Sequence, residues 1–431
     1  MAGFDYIAAA SALHDETGID RIMEEYEPLL RRAGGRRRSR DYRPEKGNLP
    51  FYFILTGGTE AFVLENLESL ANLGVHDESG KKPPLVLLAH GKHNSLPAAL
   101  EIAAWAGQEG RTAQIIQLAG ADDATGLAEL AAAAKVADSL SGMRKSRIGL
   151  VGEPSSWLIA SRQSAKATKE SWGAAIVPIP FERVTKAMET RGRREKAVLP
   201  EEFISGASFR TEASDEDLEK SQAVFEALKS LAEGEKLDAL SLRCFDLLSL
   251  NGSTGCFALA KLAAEGIDSG CEGDVPSVIA LRWVRILTGR AGWMANPSVI
   301  RKAEGGRGRI LLAHCTVPLS LVPRYGIRSH FESGKGAAIC GSLPKGPVTL
   351  LRIGGTGLDQ VWAAEGELVE SPAMEGLCRT QAHIELSNGD IDALLDAPLG
   401  NHLVMAPGSW AGLIDRYIRW AGLKRVYTKK S

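Results

Sequence analysis

The strongest constraint on the fold of this chain is a rhythm. Short apolar runs end in polar, Gly-containing loops, and each loop opens a helical segment. Phe51 to Leu55 runs into Thr56-Gly57-Gly58-Thr59-Glu60 and a helix. Pro84 to Ala89 runs into His90-Gly91-Lys92-His93-Asn94-Ser95, with Ser95 placed to cap a helix over Pro97 to Ala106. Thr112 to Leu118 is a third strand, before a helix from Gly126 to Leu140. A second series begins at Arg147 to Val151 and continues through Ala174 to Pro178. A long helix then starts at Ser214-Asp215-Glu216-Asp217, close to a capping box, followed by a strand at Leu242 to Leu248 and a helix over Ser253 to Glu265. Such alternation predicts parallel sheets covered on both faces.

After Asn296 the rhythm stops. Ile310 to Ala313, Ala337 to Cys340, Pro347 to Ile353, Gln360 to Glu365 and Ala382 to Leu386 are short apolar runs, most of them separated by turns. This is the texture of an antiparallel sheet or barrel, and a helix over Trp410 to Ala421 closes it. The expected fold class is α/β: two Rossmann-like parallel-sheet units over 1–145 and 146–300, then a β-rich, barrel-like domain over 301–431. Two stretches stand apart. Ile19 to Leu30 suits an amphipathic helix, and Arg31, Arg32, Arg36, Arg37, Arg38, Arg40 and Arg43 then crowd a segment that reads as a solvated connector, or as an arm that meets an anion or a subunit. Arg191 to Arg194 falls in a polar, charged insertion.

Composition narrows the function classes. With 431 residues, 44% hydrophobic and 24% charged, the chain can bury large cores like an ordinary enzyme. A formal net charge of -2 gives no pull toward nucleic acid or membrane. No apolar run reaches the roughly 18–20 residues that cross a bilayer, and Asp5, His14, Asp15 and Glu16 do not suit a signal peptide. Six scattered Cys without a CxxC pair favour reduced thiols in a cytoplasm.

The candidate chemistry centres on Cys271-Glu272-Gly273-Asp274-Val275-Pro276. Pro276 opens a helix expected over Val275 to Leu287, so Glu272 and Asp274 sit in a loop feeding a helix N-terminus, where anionic groups are stabilised. A carboxylate there can ligate a cation, take a proton from carbon or simply cap the helix. The carboxyl end of a strand favours the functional roles. His402, after the Gly400-Asn401 turn and before an apolar strand, suits a metal ligand or a packed structural residue. His314 ends another strand; Cys315 beside it points to the opposite face and cannot share an ion with it. His330 is a similar strand-end His. The Thr56 to Glu60 turn can cradle a phosphate or a sugar hydroxyl. It is neither GxGxxG nor a P-loop, so a nucleotide-dependent enzyme has no fingerprint here, and GxSxG and HExxH are absent.

Taken together, Cys244 to Leu248, Cys271 to Pro276, Ala295-Asn296-Pro297, Ala313 to Pro318, Ser329 to Gly334 and Asn401-His402 to Gly408 resemble the L-fucose isomerase / L-arabinose isomerase superfamily, especially its shorter fucose-isomerase-like members. The resemblance covers most of the chain from Phe51 onward. It implies an aldose–ketose isomerase in which a divalent ion, usually Mn2+, holds the O1 and O2 region of a sugar and acidic residues move a proton between C1 and C2 through an ene-diol. By resemblance, Glu272 is the first acidic ligand and catalytic carboxylate, His402 the histidine ligand, and His314 the further histidine of arabinose isomerases. The second acidic ligand falls at Asn296, which has a carbonyl oxygen to offer but no charge and no proton to shuttle.

Three explanations follow. Asp274 or Asp246 replaces the missing acid; or one base works with a metal-bound water; or the site has lost metal and activity and the protein is a sugar-binding or regulatory relative. The resemblance also implies a homotrimer or homohexamer in which Thr56, Glu60, His93 and Asn94 reach the substrate of the next subunit. Glu272 and His402, far apart along the chain, must converge for this reading to stand.

Overall fold

The computed structural model describes residues 3–44, 48, 50–72, 82–192 and 199–427. Its chain divides into two compact units, Met1–Arg144 with Asp415–Leu423, and Lys145–Ile414 with Lys424–Ser431.

The first unit is a five-stranded parallel sheet. Its strands are β1 (Phe4–Ala9), β2 (Gly35–Arg38), β3 (Phe51–Ile54), β4 (Leu85–His90) and β5 (Ala113–Leu118), in the order β2-β1-β3-β4-β5. β3, β4 and β5 are the strands expected from the apolar runs. β1 and β2 correct the reading of the N-terminal segment. The Arg-rich stretch is neither a connector nor an arm at Gly35–Arg38, because these residues pair in parallel with Phe4 to Ile7. The charges of Arg36 and Arg38 meet one acid. Asp5, on β1, accepts hydrogen bonds from Arg36 Nε and Arg38 Nε at 3.0 Å each, and from the Tyr42 hydroxyl. Burial alone would raise the Asp5 pKa; Tyr42, Arg38 and Arg36 outweigh it and hold the carboxyl below its usual range. Ser95 does not cap its helix, Ser95–Gln108. Its hydroxyl instead accepts from His90 N at 2.9 Å and donates to Ile54 O, tying the ends of β3 and β4 together.

The second unit joins a parallel sheet, an antiparallel barrel and a two-stranded ribbon. β6 (Arg147–Val151), β7 (Ala175–Ile179), β8 (Ala239–Leu242) and β9 (Asp268–Cys271) form a parallel sheet in the order β7-β6-β8-β9. All four residues of β8 and of β9 are buried, as central parallel strands require. The helix Asp215–Gly234 begins with the capping box read from Ser214 and Asp217. The insertion at Arg191 to Arg194 lies outside the described residues beyond Gly192.

The chain then enters a barrel. β10 (Trp293–Lys302), β11 (Arg307–His314), β14 (Gly346–Gly354), β15 (Gln360–Glu370), β16 (Thr380–Ser387) and β17 (Leu403–Pro407) pair antiparallel in the cyclic order β14-β17-β10-β11-β16-β15, closed by β14 with β15. β18 (Lys424–Arg425) adds to β15, while β12 (Arg324–Arg328) and β13 (Ala338–Ser342) form a separate ribbon. The antiparallel texture expected after Asn296 is therefore present. β10 starts earlier, at Trp293, and was hidden by Pro297, which lacks an N–H and marks a register shift before Val299. Trp293, Leu312, Leu350, Ile353, Trp362 and Ile384 are among the side chains that fill this half of the unit, none more than 1% exposed. Closure leaves none of its six strands as an edge, and no described helix is long and apolar enough to cross a membrane.

Replacing Asp5 with Asn should leave two solvent-exposed guanidiniums without their counter-charge and cost up to about 1 kcal/mol of stability. Because the folded pKa is depressed, this contribution exists above the unfolded value near 3.9 and fades as pH falls through the folded one. Urea unfolding of both forms at pH 7 and pH 3 should show a gap that narrows in acid.

Candidate metal centre

Glu272 follows β9 in a left-handed conformation, φ +65°, which a non-Gly residue adopts only when its surroundings impose it. The backbone around it supplies that constraint. Ser155 N donates to Glu272 O at 2.8 Å, Gly273 N to Leu242 O at 3.1 Å and Asp274 N to Cys271 O at 3.1 Å. Gly273 is also left-handed, φ +73°, and a Cβ there would stand 2.7 Å from Pro154 Cα. The loop therefore needs Gly at 273, and it aims the Glu272 side chain away from the sheet toward the barrel.

Asp274 caps the helix Val275–Thr288. Its Oδ1 accepts from Ser277 N at 3.0 Å and its Oδ2 from Ser277 Oγ at 2.9 Å. Arg352, on β14, donates to the same Oδ2 at 2.8 Å, and its other guanidinium nitrogen reaches Ser161 Oγ at 2.6 Å. The two charged side chains are 0% and 1% exposed. Gly400 permits the close approach, since a Cβ on it would lie 2.3 Å from Arg352 Nη2. Burial alone would raise the Asp274 pKa; the Arg352 charge and the hydrogen bond with His402 outweigh it and hold the carboxyl far below its usual range. Both oxygens of Asp274 are thus committed inside the protein, which gives it a positioning place with no exchangeable proton.

Two histidines come from the barrel. His402 enters β17, fully buried, with Nδ1 2.8 Å from Asp274 Oδ2 and Nε2 3.6 Å from Glu272 Oε1. His314 ends β11, with Nδ1 2.8 Å from Thr316 Oγ1 and a ring centroid 5.6 Å from that of His402. One ligand atom each from Glu272, His314 and His402 lie within 4.8 Å of one another. Glu272 Oε2 accepts from Trp157 Nε1 at 2.7 Å. Desolvation alone would raise the Glu272 pKa, but His402 and Trp157 outweigh it and keep it ionised below its usual range. Burial, with the His402 charge, pushes His314 down to about 4, so it is neutral near pH 7. Burial opposes charge on His402 too, yet Asp274 and Glu272 raise its pKa above the ordinary value.

The donor set fits a divalent transition-metal ion. His402 Nε2 is buried without a hydrogen-bond partner, and Asp274 fixes the other ring nitrogen, the usual outer-shell arrangement of a ligating His. Two imidazoles and one carboxylate form a three-ligand set that leaves positions open for substrate.

The other residues singled out from the sequence fall in several places. Asn296, half-buried on β10, faces Ala313 in register, while its neighbour Ala295 faces Leu403, so it lies between the strands that carry His314 and His402. Asp246 opens the short helix Asp246–Asn251 and pairs with Arg243 at 3.1 Å, outside the triad. Thr56, Glu60, His93 and Asn94 belong to the first unit. There Thr56 Oγ1 accepts from Ser11 N at 2.8 Å, and His93 O accepts from Gly57 N at 2.8 Å. Cys315, next to His314, packs with Cys256 and Ala338, and all six Cys are free. Sequence reasoning missed Trp157 and Arg352. Arg352 left a signal, since a lone Arg inside the apolar run Val348 to Ile353 requires a buried counter-charge.

No family model matches the chain. Curated relatives do. The sulfoquinovose isomerases of Priestia aryabhattai and of Priestia megaterium (strain ATCC 12872 / QMB1551) are each 25% identical to it over 158 residues. The match covers 35% of this chain and 34% of each relative, so the chain spans about a third of the length of the curated relatives it matches.

Two outcomes follow from this geometry. Arg352→Met strands the Asp274 charge and should cost about 3–5 kcal/mol in denaturant unfolding. Because a cation must displace any proton on His402 Nε2, Mn2+ binding should release protons, toward one per ion as pH falls below the raised His402 value and toward none in alkali. Calorimetry in two buffers of different ionisation enthalpy measures that number.

Proposed function

We propose that the protein is a metal-dependent aldose–ketose isomerase of the fucose/arabinose isomerase type, with Glu272, His314 and His402 as the ligands of a Mn2+ ion. The observation that carries this reading is the convergence of those three side chains, with a buried His402 nitrogen left free for an ion. The sulfoquinovose isomerase relatives support the reaction class. Sulfoquinovose is the first sugar to test here, beside pentoses and deoxyhexoses.

A hydrogen on carbon beside a carbonyl is weakly acidic, and a bound divalent ion would stabilise the negative charge that develops on the sugar oxygens when it leaves. The chain's own residues do the rest. Glu272 is ionised at the cleft, so it can take the proton from one carbon and return it to the neighbouring carbon. One carboxylate is sufficient for the carbon-bound hydrogen when both carbons present the same face, with the O2 hydroxyl proton passing to O1 between the two sugar oxygens or through water, and Asn296 is then compatible with the reaction. Asn296 keeps a carbonyl oxygen and an amide for contact with a hydroxyl. Thr56, Glu60, His93 and Asn94 would reach the substrate of an adjacent copy in a trimer or hexamer.

Asn296 also favours a second reading, a sugar-binding protein without proton transfer. Glu272→Gln separates the two. As an isomerase, the variant should lose about 100- to 10,000-fold in kcat; as a binder, only sugar affinity should shift, and modestly. In deuterium oxide, ketose formation should leave part of the migrating hydrogen unexchanged, the mark of a single base. Turnover should disappear with a strong chelator and return with Mn2+. Absence of bound divalent metal, or chelator-insensitive turnover, would overturn the metal-dependent reading.

A further inference from the structure

The loop after β6 brings Trp157 to the carboxylate. Ser155 N holds this loop to Glu272 O, and Leu158 N bonds back to Ser155 O at 3.0 Å. Leu158 is 2% exposed and anchors the turn in the core, whereas Trp157 is 52% exposed and fills no core position. The indole ring stands edge-on to Phe245, with centroids 5.2 Å apart and planes at 89°. Phe245 is in turn edge-on to His330 at 5.6 Å. The ring is thus fixed on one side and open on the other, with its one polar atom spent on Glu272 Oε2.

That hydrogen bond constrains the carboxylate. An indole N–H is a donor only, so Oε2 accepts, and swinging the carboxylate away would break a 2.7 Å charge-assisted bond. Oε1 is left facing His402 Nε2. Oε2 keeps a second lone pair, and its hydrogen bond fixes which oxygen turns to the histidines.

We infer that Trp157 is a positioning residue that fixes the Glu272 carboxylate with Oε1 turned toward His402 Nε2, so that this ligand oxygen is in place before a cation arrives. This rests on the isomerase reading of the same site.

The test compares the full-length chain with Trp157→Phe, which keeps the ring and removes the donor. Mn2+ alone, titrated by calorimetry, should bind the variant about 10- to 100-fold more weakly, the loss typical of an outer-shell partner. Thermal unfolding in the absence of metal should stay cooperative, at a somewhat lower midpoint because one hydrogen bond to Glu272 is lost. At saturating Mn2+, the quenching of tryptophan emission by the paramagnetic ion should shrink in the variant, since the indole bonded to a ligand carboxylate is gone. Mn2+ affinity and quenching equal to those of the unsubstituted protein would overturn the assignment. Mn2+ binding that weakens in the variant while no sugar is turned over by either protein would leave the positioning role standing and sink the isomerase reading. An unsubstituted protein that binds no Mn2+ would sink both.

Discussion

The buried pair of Arg352 and Asp274 is the interaction on which the rest of the site depends. Two charges removed from water cost several kcal/mol each unless their partners are close and complete. Here they are. Arg352 meets Asp274, Ser277 and Ser161, and Asp274 meets Arg352, Ser277 and His402. The pair fastens strand β14 of the barrel to the helix that follows β9, and so holds the Glu272 loop at a set height against the barrel. It also leaves His402 one way to sit, with Nδ1 on Asp274 and Nε2 toward Glu272. A second carboxylate at the cleft would repel Glu272, whereas Asp274, neutralised by Arg352, adds little net charge there.

Charge is distributed along the site in a graded way. Asp274 is committed, Glu272 is ionised and partly committed through Trp157, and His314 is kept neutral by burial. His402 lies between the two carboxylates and is the group that responds most directly to an arriving cation. This order follows from depth. The deepest carboxylate has a guanidinium, and the one nearer the cleft has only an indole N–H and a histidine.

Much of this architecture was legible in the chain. The strand–loop–helix rhythm predicted the parallel sheets, and the turn-rich apolar runs predicted the antiparallel barrel, because periodicity reports burial on one or two faces. What failed was local. β1 and β2 were missed because a strand as basic as Gly35-Arg36-Arg37-Arg38 looks like a solvated segment until Asp5 is seen beside it. β10 was obscured by Pro297, and Ser95 had the form of a cap but serves a cross-strand bond.

Glu272, Asp274, His314 and His402 were chosen from the sequence as residues capable of chemistry, on residue type, strand-end position and resemblance. The sequence by itself determined that such groups exist and that Gly273 and Gly400 flank them. Only the tertiary structure decided their roles. Asp274 became a positioning group because Arg352, 78 positions away, reaches it. His314 joined Glu272 and His402 because β11 and β17 both flank β10 in the closed barrel. Trp157 acquired a role because the loop after β6 folds over the one after β9. Contacts of this kind depend on strand order and barrel closure, which bring distant segments side by side, and no local pattern of residues encodes that juxtaposition.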